Sequence, residues 1–248
     1  MKEINVVKQS RRAFLRAAGT VTAGCALGAL PWALHAAEGA SKGLRIGVIG
    51  SGNVGGTIGT LWVKAGHQVM FSSLDIEHDR KLAASIGSGA RAGTPKEAAA
   101  FGEVLFFAVP YTALPALGRD LATEIKGKIV LDASNPIPRR DGDMAVAALA
   151  KGTGVASPEF LPGARIVRAF NAVGAGRMAS VNRESGRFGM PIASNDKEAV
   201  EVASRLIRDI GYEPVLIGGL EKGKFLMPGT PLAGERAPEE VGKIAKTL

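Results

Sequence analysis

The chain has 248 residues and a formal net charge of +8, from 31 Lys and Arg against 23 Asp and Glu. No stretch of basic residues is dense enough to form a nucleic-acid surface, so we expect no nucleic-acid partner. The single cysteine excludes a disulfide framework within the chain.

Residues 1–36 have the features of an export signal. Ser10–Arg16 reads Ser-Arg-Arg-Ala-Phe-Leu-Arg, which follows the twin-arginine pattern, and a weakly apolar segment rich in Ala and Gly comes after it. Cleavage is expected with Ala36 or Ala37 as the last residue removed. These features predict transport by the twin-arginine translocase to the periplasm or another extracytoplasmic space. An uncleaved amphipathic helix, a membrane anchor and lipidation at Cys25 are the alternatives.

Removal of this signal would change the net charge and the number of histidines in the remaining chain. Residues 1–36 carry five Lys or Arg and one Glu, a charge of +4, so the net charge falls from +8 to +4. Only His67 and His78 are left of the three histidines, and His67 stands beside a glycine at the predicted end of a helix. We therefore expect no metal site and no catalytic triad in the roughly 210 remaining residues, which suffice for one α/β domain.

Leu44–Gly56 carries the strongest motif of the chain. An apolar run, Ile-Gly-Val-Ile, ends in Gly50-Ser51-Gly52-Asn53-Val54-Gly55, a G-x-G-x-x-G, and helical periodicity follows at once. A strand, a tight glycine turn and a helix form the first unit of a dinucleotide-binding fold. Gly50 would permit the turn, Gly52 would let the backbone approach a pyrophosphate, and Gly55 would let the helix pack on the strand. An ordinary glycine turn in another α/β protein is the alternative.

The end of the second predicted strand, Gln68–Ser72, indicates which cofactor is bound. An acidic residue there selects NAD by hydrogen bonding to the ribose 2′-hydroxyl. Here the hydroxyls of Ser72 and Ser73 stand in that position, no acid follows until Asp75, and Arg80–Lys81 could add positive charge. These residues favour NADP over NAD as the cofactor. Alternatively, the two serines cap the helix that starts near Asp75.

The remaining elements alternate as in a doubly wound, mainly parallel sheet. Pro191 restricts the seventh strand to an edge or a bulge, and Asn195 is the candidate N-cap of the next helix. We expect one Rossmann-type domain over residues 43–220 and a short C-terminal extension over 221–248. The expected strands are 46–49, Gln68–Ser72, Ala90–Ala92, Val104–Val109, Lys128–Leu131, Arg165–Phe170, Arg187–Ala193 and Pro214–Ile217. The later helices are expected at Leu114–Ile125, Met144–Ala150, Asp196–Ile210 and near Pro238–Leu248.

Several of these motifs, in this order, give the chain a family likeness. The pattern resembles the NADPH-dependent oxidoreductases of the deazaflavin (coenzyme F420) reductase type. That group is related to the nucleotide domain of pyrroline-5-carboxylate reductases and to the cytoplasmic domain of some metal-ion reductases. The segments that carry the resemblance are Gly47–Gly56, Gly66–Val69, Ala108–Pro110, Asp132–Pro136 and Val167–Asn171.

The resemblance implies where a cofactor is held. In that family the glycine turn holds the pyrophosphate, a Ser/Thr-Arg pair after the second strand holds the 2′-phosphate, and the loops after the fourth, fifth and sixth strands border the nicotinamide. The arginine of that pair is Leu74 here, and Asn135 and Asn171 could instead cap the helices that follow them. The implied cofactor-binding residues are Gly50, Ser51, Gly52, Asn53, Val54, Gly55, Ser72, Ser73, Ala108, Val109, Pro110, Asn135 and Asn171.

The expected activity is hydride transfer between a nicotinamide and a flavin-like, deazaflavin or small carbonyl or imine acceptor. A carbonyl or imine also needs a proton donor, for which Tyr111 is the best-placed candidate, with an aromatic wall or a core position as its favoured alternatives. The segment 221–248 could cover the active cleft or form a homodimer contact. The rival function is a non-catalytic sensor or scaffold that binds NADP.

Overall fold

The computed structural model describes residues 43–180 and 188–248, and the predicted export signal lies outside them. Six parallel strands form one sheet in the order β3-β2-β1-β4-β5-β6, so the strand order reverses between β1 and β4. This reversal is the point at which open α/β sheets leave a crevice for a ligand at their carboxyl ends. The strands of this sheet are β1 (Arg45–Ile49), β2 (Gln68–Ser72), β3 (Ala90–Ala92), β4 (Val104–Phe107), β5 (Ile129–Asp132) and β6 (Arg165–Arg168).

Helices connect the strands, as parallel pairing requires. The sequence signals of the early helices are local, such as the capping box of Thr94 and Glu97 at the start of α3. The helices in the described residues are α1 (Asn53–Lys64), α2 (Ile76–Ile86), α3 (Pro95–Phe101), α4 (Leu114–Asp120), α5 (Ala122–Ile125), α6 (Pro138–Lys151), α7 (Thr153–Phe160), α8 (Ala175–Met178), α9 (Lys197–Arg208) and α10 (Pro238–Ala245).

The strands are buried on both faces, as their continuous apolar sequences predict. In β4, Val104 and Phe106 pack in one hydrophobic cluster, while Leu105 and Phe107 pack in the other. Because successive strand residues point to opposite faces, the two clusters lie on opposite sides of the sheet. The doubly wound α/β fold expected from the sequence is confirmed.

Three aromatic rings join α1, β4 and the end of β6 on one side of the sheet. Trp62 contacts Phe106 and Phe170 edge to face, with ring centroids 5.1 and 6.0 Å away, and the two phenylalanine rings are 5.5 Å apart. The Trp62 indole N–H also donates to the Leu206 carbonyl of α9 at 2.8 Å. This cluster holds the chain directly after β6 against the first helix.

The last two strands do not extend the main sheet. β7 (Gly189–Ile192) and β8 (Glu213–Leu216) form a parallel pair of their own. Among the residues that the structure describes, one isolated antiparallel bridge, between Arg168 and Ala193, joins this pair to the end of β6. Pro191 fits because each strand of a two-stranded sheet has an unpaired edge, which agrees with the edge position predicted from the sequence.

Three helix expectations need correction. The helix expected at Met144–Ala150 begins earlier, at Pro138, and is kinked at Gly142. The segment Leu114–Ile125 forms two short helices, because the backbone leaves helical geometry at Leu121. Asp196, not Asn195, caps α9 by accepting a hydrogen bond from the Ala199 N–H at 3.0 Å. The Asn195 carboxamide instead accepts a hydrogen bond from the Leu220 N–H at 3.0 Å.

The segment 221–248 packs on the β7–β8 pair and on α7. Leu226, Leu232 and Val241 form a small hydrophobic cluster with Ala193 and Ile217. The Gly189 N–H donates to the Arg236 carbonyl at 2.8 Å, and the Gly234 N–H donates to the Ala172 carbonyl at 2.8 Å. The segment is therefore anchored to the rest of the domain by backbone hydrogen bonds as well as by apolar contact.

Within residues 43–180 and 188–248, none of the helices has the length and apolar character needed to cross a membrane.

Candidate active site

The glycine turn closes over the carboxyl end of β2. Gly50 has φ +97°, a conformation that side chains disfavour, and a Cβ there would lie 2.5 Å from the Ala108 carbonyl oxygen. The N–H groups of Gly50 and Ser51 both donate to the Ser72 carbonyl, at 2.9 and 3.0 Å. The first turn residues are thus fixed by β2 and β4, and their N–H groups face the protein.

The turn leaves the start of α1 open. Gly52 is exposed and is the N-cap of α1, and it offers no side chain to the first helical N–H groups. A Cβ built on Gly52 meets no atom within 4 Å, whereas one on Gly55 would lie 1.9 Å from the Gly50 carbonyl oxygen. The first turn of α1 also carries no acidic residue. The open start of α1 suits a pyrophosphate, because helix N-terminal N–H groups and the helix dipole both attract anions.

Ser72 and Ser73 have different surroundings. Ser72 is fully buried, and its hydroxyl donates to the Val48 carbonyl at 2.7 Å. The Ser72 side chain faces the sheet, and the Ser72 carbonyl is the group that contacts the glycine turn. Ser73 is partly exposed and accepts a hydrogen bond from the Asp75 N–H at 3.1 Å. Of the two serines predicted at the 2′-position, Ser73 is the one at the surface.

A buried carboxylate lies behind this surface. Asp79, on α2, is fully buried, and its Oδ1 accepts a short hydrogen bond from the Ser51 hydroxyl. Its Oδ2 accepts one from the Ser73 hydroxyl at 2.9 Å. Asp79 therefore links the glycine turn to the residue that follows β2.

The start of α2 supplies less positive charge than the sequence indicated. Asp75 is the N-cap of α2, accepting from the N–H groups of residues 77 and 78, so the two serines do not cap the helix. Arg80 forms an ion pair with Glu77 on the same helix. Leu74, which stands where the family pattern implies an arginine, is fully exposed.

A second polar cluster lies at the carboxyl ends of β5 and β6. Asp132 and Arg168 form an ion pair at 2.6 Å, and both side chains are fully buried. The other Asp132 oxygen accepts from the Ser134 N–H at 2.9 Å, and Arg168 also donates to the Ser134 carbonyl at 3.0 Å. The pair is stabilised by these extra hydrogen bonds, which a buried charge requires.

Asn135 and Asn171 come together beside this ion pair. The Asn135 amide N–H donates to the Asn171 carbonyl at 2.8 Å, and the Asn135 Oδ1 accepts from Arg168 and from Asn171, each at 3.3 Å. Phe170 has φ +66°, an unusual value for a residue with a side chain, and its packed ring holds the turn that presents Asn171. The sequence predicted these asparagines at one site, and the fold joins them directly.

Three polar atoms of this cluster have no partner within the described residues. The Ser134 hydroxyl, the Arg168 Nε and the Asn171 Oδ1 are all buried and make no hydrogen bond there. Buried polar atoms without partners are costly and uncommon in folded proteins, so each calls for an explanation such as a ligand, an ion or an ordered water. The cluster therefore fits the amide-bearing end of a dinucleotide, at the strand ends beyond the glycine turn.

Tyr111 lies in the core and not in the crevice. It is fully buried, contacts the Phe160 ring, and its hydroxyl accepts from the Ser157 hydroxyl at 3.3 Å. Burial raises the pKa of the Tyr111 phenol, although the hydrogen bond from Ser157 opposes this. Of the loop before it, Pro110 is exposed, while Ala108 and Val109 are half-buried beside the glycine turn.

The comparisons with known proteins fit this geometry. Residues 45–136 match the family described as NADP oxidoreductase, coenzyme F420-dependent. An F420-dependent NADP reductase of Methanothermobacter marburgensis is 30% identical over 203 residues, which cover 76% of this chain and 90% of that protein. The chain belongs to this family. It is an oxidoreductase.

Solved structures support the fold of this oxidoreductase. A hypothetical protein from Sinorhizobium meliloti superposes with a TM-score of 0.66 at 25% identity, covering 78% of this chain and 94% of that one. A putative F420-dependent NADP reductase from an Arthrobacter species gives a TM-score of 0.59 at 19% identity, with coverages of 74% and 90%. The Rossmann-type architecture is shared along nearly the whole length of both proteins.

Sequence reasoning missed three charged residues of this oxidoreductase site. Asp132 ends an otherwise apolar strand, and Arg168 follows the apolar residues Ile166 and Val167 at the end of the next strand, so both place charge at the carboxyl edge of the sheet. Asp79 shares a helical face with the buried Ala83, four residues later, which predicts that its side chain faces the sheet. His67, by contrast, is structural as expected: its ring accepts from the Leu44 N–H at 3.0 Å and contacts the Asp209 carboxylate at 3.0 Å.

Proposed function

We propose that the protein is an NADP-dependent oxidoreductase that moves a hydride between the nicotinamide and an acceptor bound in the crevice. The observation that carries the proposal is the open start of α1 at Gly52, on the same sheet edge as the asparagine pair Asn135–Asn171. One end suits a pyrophosphate and the other suits a carboxamide. The family match at residues 45–136 and the name of the Methanothermobacter relative favour NADP as the dinucleotide.

A bound nicotinamide would supply the hydride, and this chain supplies binding and orientation. The N–H groups at the start of α1 would hold the diphosphate, and the Gly52 backbone would let it approach. The unpartnered Oδ1 of Asn171 would accept a hydrogen bond from an amide N–H, and the buried Asp132–Arg168 pair would keep Asn135 in place beside it. Such positioning converts an encounter of two molecules into a reaction within one complex.

The acceptor is the finer part of the proposal. With Tyr111 in the core, no candidate proton donor from the sequence faces the crevice, so an acceptor that takes up a hydride directly fits best. A flavin-like or deazaflavin ring is such an acceptor, whereas a carbonyl or imine needs a proton from elsewhere. The family description, which names coenzyme F420, agrees with this order of preference.

The test is stopped-flow oxidation of protein-bound NADPH against flavins, deazaflavin, quinones and cyclic imines, with a chelator present throughout. We expect single-turnover oxidation by the ring acceptors at rates well above those for imines. Tight NADPH binding with no turnover on any acceptor would instead favour the sensor or scaffold. Loss of turnover on chelation would contradict a metal-free mechanism.

NADPH should bind more tightly than NADH, with Ser73 as the surface residue beside the 2′-position. Ser73→Asp should repel the 2′-phosphate and shift the preference toward NADH, because it places a negative charge beside another negatively charged group. Titration of nucleotide fluorescence gives both dissociation constants. Equal affinities in the unmodified protein, unchanged by this substitution, would remove the basis for NADP.

We also propose that the protein is exported through the twin-arginine pathway to the periplasm or another extracytoplasmic space. The support is the motif at Ser10–Arg16, and this route carries folded proteins, so the cofactor could travel bound. Replacing Arg11 and Arg12 with lysine should leave the full-length precursor in the cytoplasm, as seen by fractionation. Normal processing of that variant would refute the proposal.

The oligomeric state is a separate question. Light scattering of the processed protein would test for a homodimer.

A further inference from the structure

The glycine turn and the residue after β2 share a single buried carboxylate. We propose that Asp79 is a specificity-determining residue of the cofactor site. With Asp79 present, the preference for NADPH over NADH is smaller than it would be if the serine hydroxyls were free to donate to the cofactor. This inference rests on the proposed function, because it concerns which dinucleotide the same site takes. Asp79 acts through Ser51 and Ser73 and is a positioning residue.

The argument begins with the number of protons available. A serine hydroxyl has one proton to donate, and a carboxylate oxygen is only an acceptor. The Ser51 hydroxyl donates its proton to the Asp79 Oδ1, and the Ser73 hydroxyl contacts the Asp79 Oδ2 at 2.9 Å. The other acceptor in reach of Ser73, the Asp75 carbonyl at 3.1 Å, also lies within the protein. Whichever acceptor Ser73 uses, neither hydroxyl has a proton left for a ligand.

The consequence differs for the two nucleotides. A 2′-phosphate presents only acceptor oxygens and negative charge, so it gains nothing from the lone pairs of Ser51 and Ser73. A 2′-hydroxyl can donate to the partly exposed Ser73 oxygen. The buried Asp79 charge, one hydrogen bond behind both serines, further disfavours a phosphate at this place. Asp79 therefore has the same effect on selectivity as the acid at the end of β2 in sites that select NAD, but it acts through the two serines.

The neighbouring charges do not cancel this effect. Within the described residues, Asp79 forms no ion pair, and Arg80 is paired with Glu77. Lys81 is exposed, and the His78 ring lies 3.4 Å from the Ser51 carbonyl oxygen. Leu74, at the place where the family pattern implies an arginine, adds an exposed apolar side chain. Asp79 therefore acts on selectivity through the hydrogen bonds of the two serines, and Lys81 is the neighbouring basic residue that would act in the opposite direction.

The test is Asp79→Asn, which keeps the shape of the side chain. With its amide facing Ser73, the asparagine would donate to the Ser73 oxygen, so this side chain no longer takes up the proton of the surface serine. A hydrogen bond to a charged group is worth about one to two powers of ten in affinity. We expect the ratio of the NADH to the NADPH dissociation constant to rise about tenfold. Asp79→Ala, which removes the acceptor that both hydroxyls share and the buried negative charge, should raise the ratio in the same direction and serves if the asparagine variant misfolds.

The matched control is Asp75→Asn. It removes one negative charge at the start of the same helix and keeps an N-cap side chain. The Asp75 side chain accepts hydrogen bonds from the N–H groups of residues 77 and 78, and only its backbone contacts Ser73 and Asp79. A loss of structure would weaken both nucleotides together, whereas the proposal concerns their ratio. The inference is overturned if the ratio is unchanged in both Asp79 variants, or if Asp75→Asn raises it equally. If the unmodified protein binds neither nucleotide, the proposed function fails, and this inference fails with it.

Discussion

The two ends of the crevice are built in different ways. At the glycine turn, the backbone provides the geometry: the N–H groups of Gly50 and Ser51 fix the turn on β2, and the start of α1 stays open. At the ends of β5 and β6, side chains provide it, through the buried pair of Asp132 and Arg168 and the asparagines that contact it. The first end would bind a ligand through backbone N–H groups that are left free. The second would bind it through side chains that the buried ion pair holds in place.

This difference separates the effects of substitution. A backbone site fails when a side chain fills the space that a ligand needs, and the fold need not be affected. A site held by a buried ion pair fails with the local structure, because removal of one partner leaves an uncompensated charge. Binding and stability should therefore respond independently at the first end and together at the second.

The largest effect is expected from two glycines of the same turn. Gly52→Val places a branched side chain in open space, so the fold should survive while NADPH binding is lost. Gly55→Val forces a Cβ to 1.9 Å from the Gly50 carbonyl oxygen, so folding itself should fail. Circular dichroism and nucleotide titration distinguish the two outcomes. Strong NADPH binding by folded Gly52→Val would show that the pyrophosphate does not lie at the start of α1.

Breaking the buried ion pair should come next in size. Arg168→Met leaves the Asp132 carboxylate buried without its partner, which typically costs ~3–5 kcal/mol of folding free energy. Replacing both residues, as Asp132→Asn with Arg168→Met, should recover much of that loss because no buried charge remains. Chemical denaturation measures both. Equal losses in the single and double variants would mean that the pair contributes through packing alone.

Much of the first end could be predicted from the sequence, because its signals are local. Strand, glycine turn and helix follow one another between residues 45 and 64, and each glycine there has a steric reason that the structure confirms at Gly50 and Gly55. The orientation of Ser72 could not be predicted. Which hydroxyl at a strand end faces the sheet depends on the last residue of the strand, and strand ends are uncertain by a residue or two.

The second end could be predicted only in part. Asp132 and Arg168 are 36 residues apart, and nothing local indicates that β5 and β6 are neighbours that bring them together. The positive φ of Phe170 has no sequence signal, since it is held by rings from α1 and β4. Likewise, the separate β7–β8 pair depends on long-range packing. Contacts between distant elements, not local propensity, set this half of the site.

A smaller effect is expected from Asn135→Ala, which tests whether the second end orients the nicotinamide. The diphosphate would still be held at the start of α1, so NADPH affinity should fall only modestly. Hydride transfer should slow by ~10- to 100-fold, because the reacting ring is less well positioned. Single-turnover kinetics measure both quantities. The matched control is Asn195→Ala. The Asn195 side chain also accepts a hydrogen bond but is far from Asn135 in the sequence, so this variant should change neither the NADPH affinity nor the rate of hydride transfer.

The smallest effect is expected at the other end of β6, where an ion pair is partly exposed. Two hydrogen bonds from Arg165 at 2.7 and 2.8 Å, together with the Ala199 N–H, lower the pKa of Asp196 to about 2. A carboxyl pKa that is lower in the folded than in the unfolded protein stabilises the fold above pH ~4, and this contribution is lost as the pH falls through the folded value. Arg165→Gln should raise the pKa of Asp196 toward its ordinary value, leaving the backbone N–H groups of Ala199 and Glu198 to lower it. Carboxyl carbon-13 NMR titration measures the change directly.

The difference in unfolding free energy from the unmodified protein should be small at pH 7, since the exposed pair is screened by solvent, and it should disappear below pH 2. A stability loss as large as that of Arg168→Met would show that burial does not distinguish the two ends of this strand.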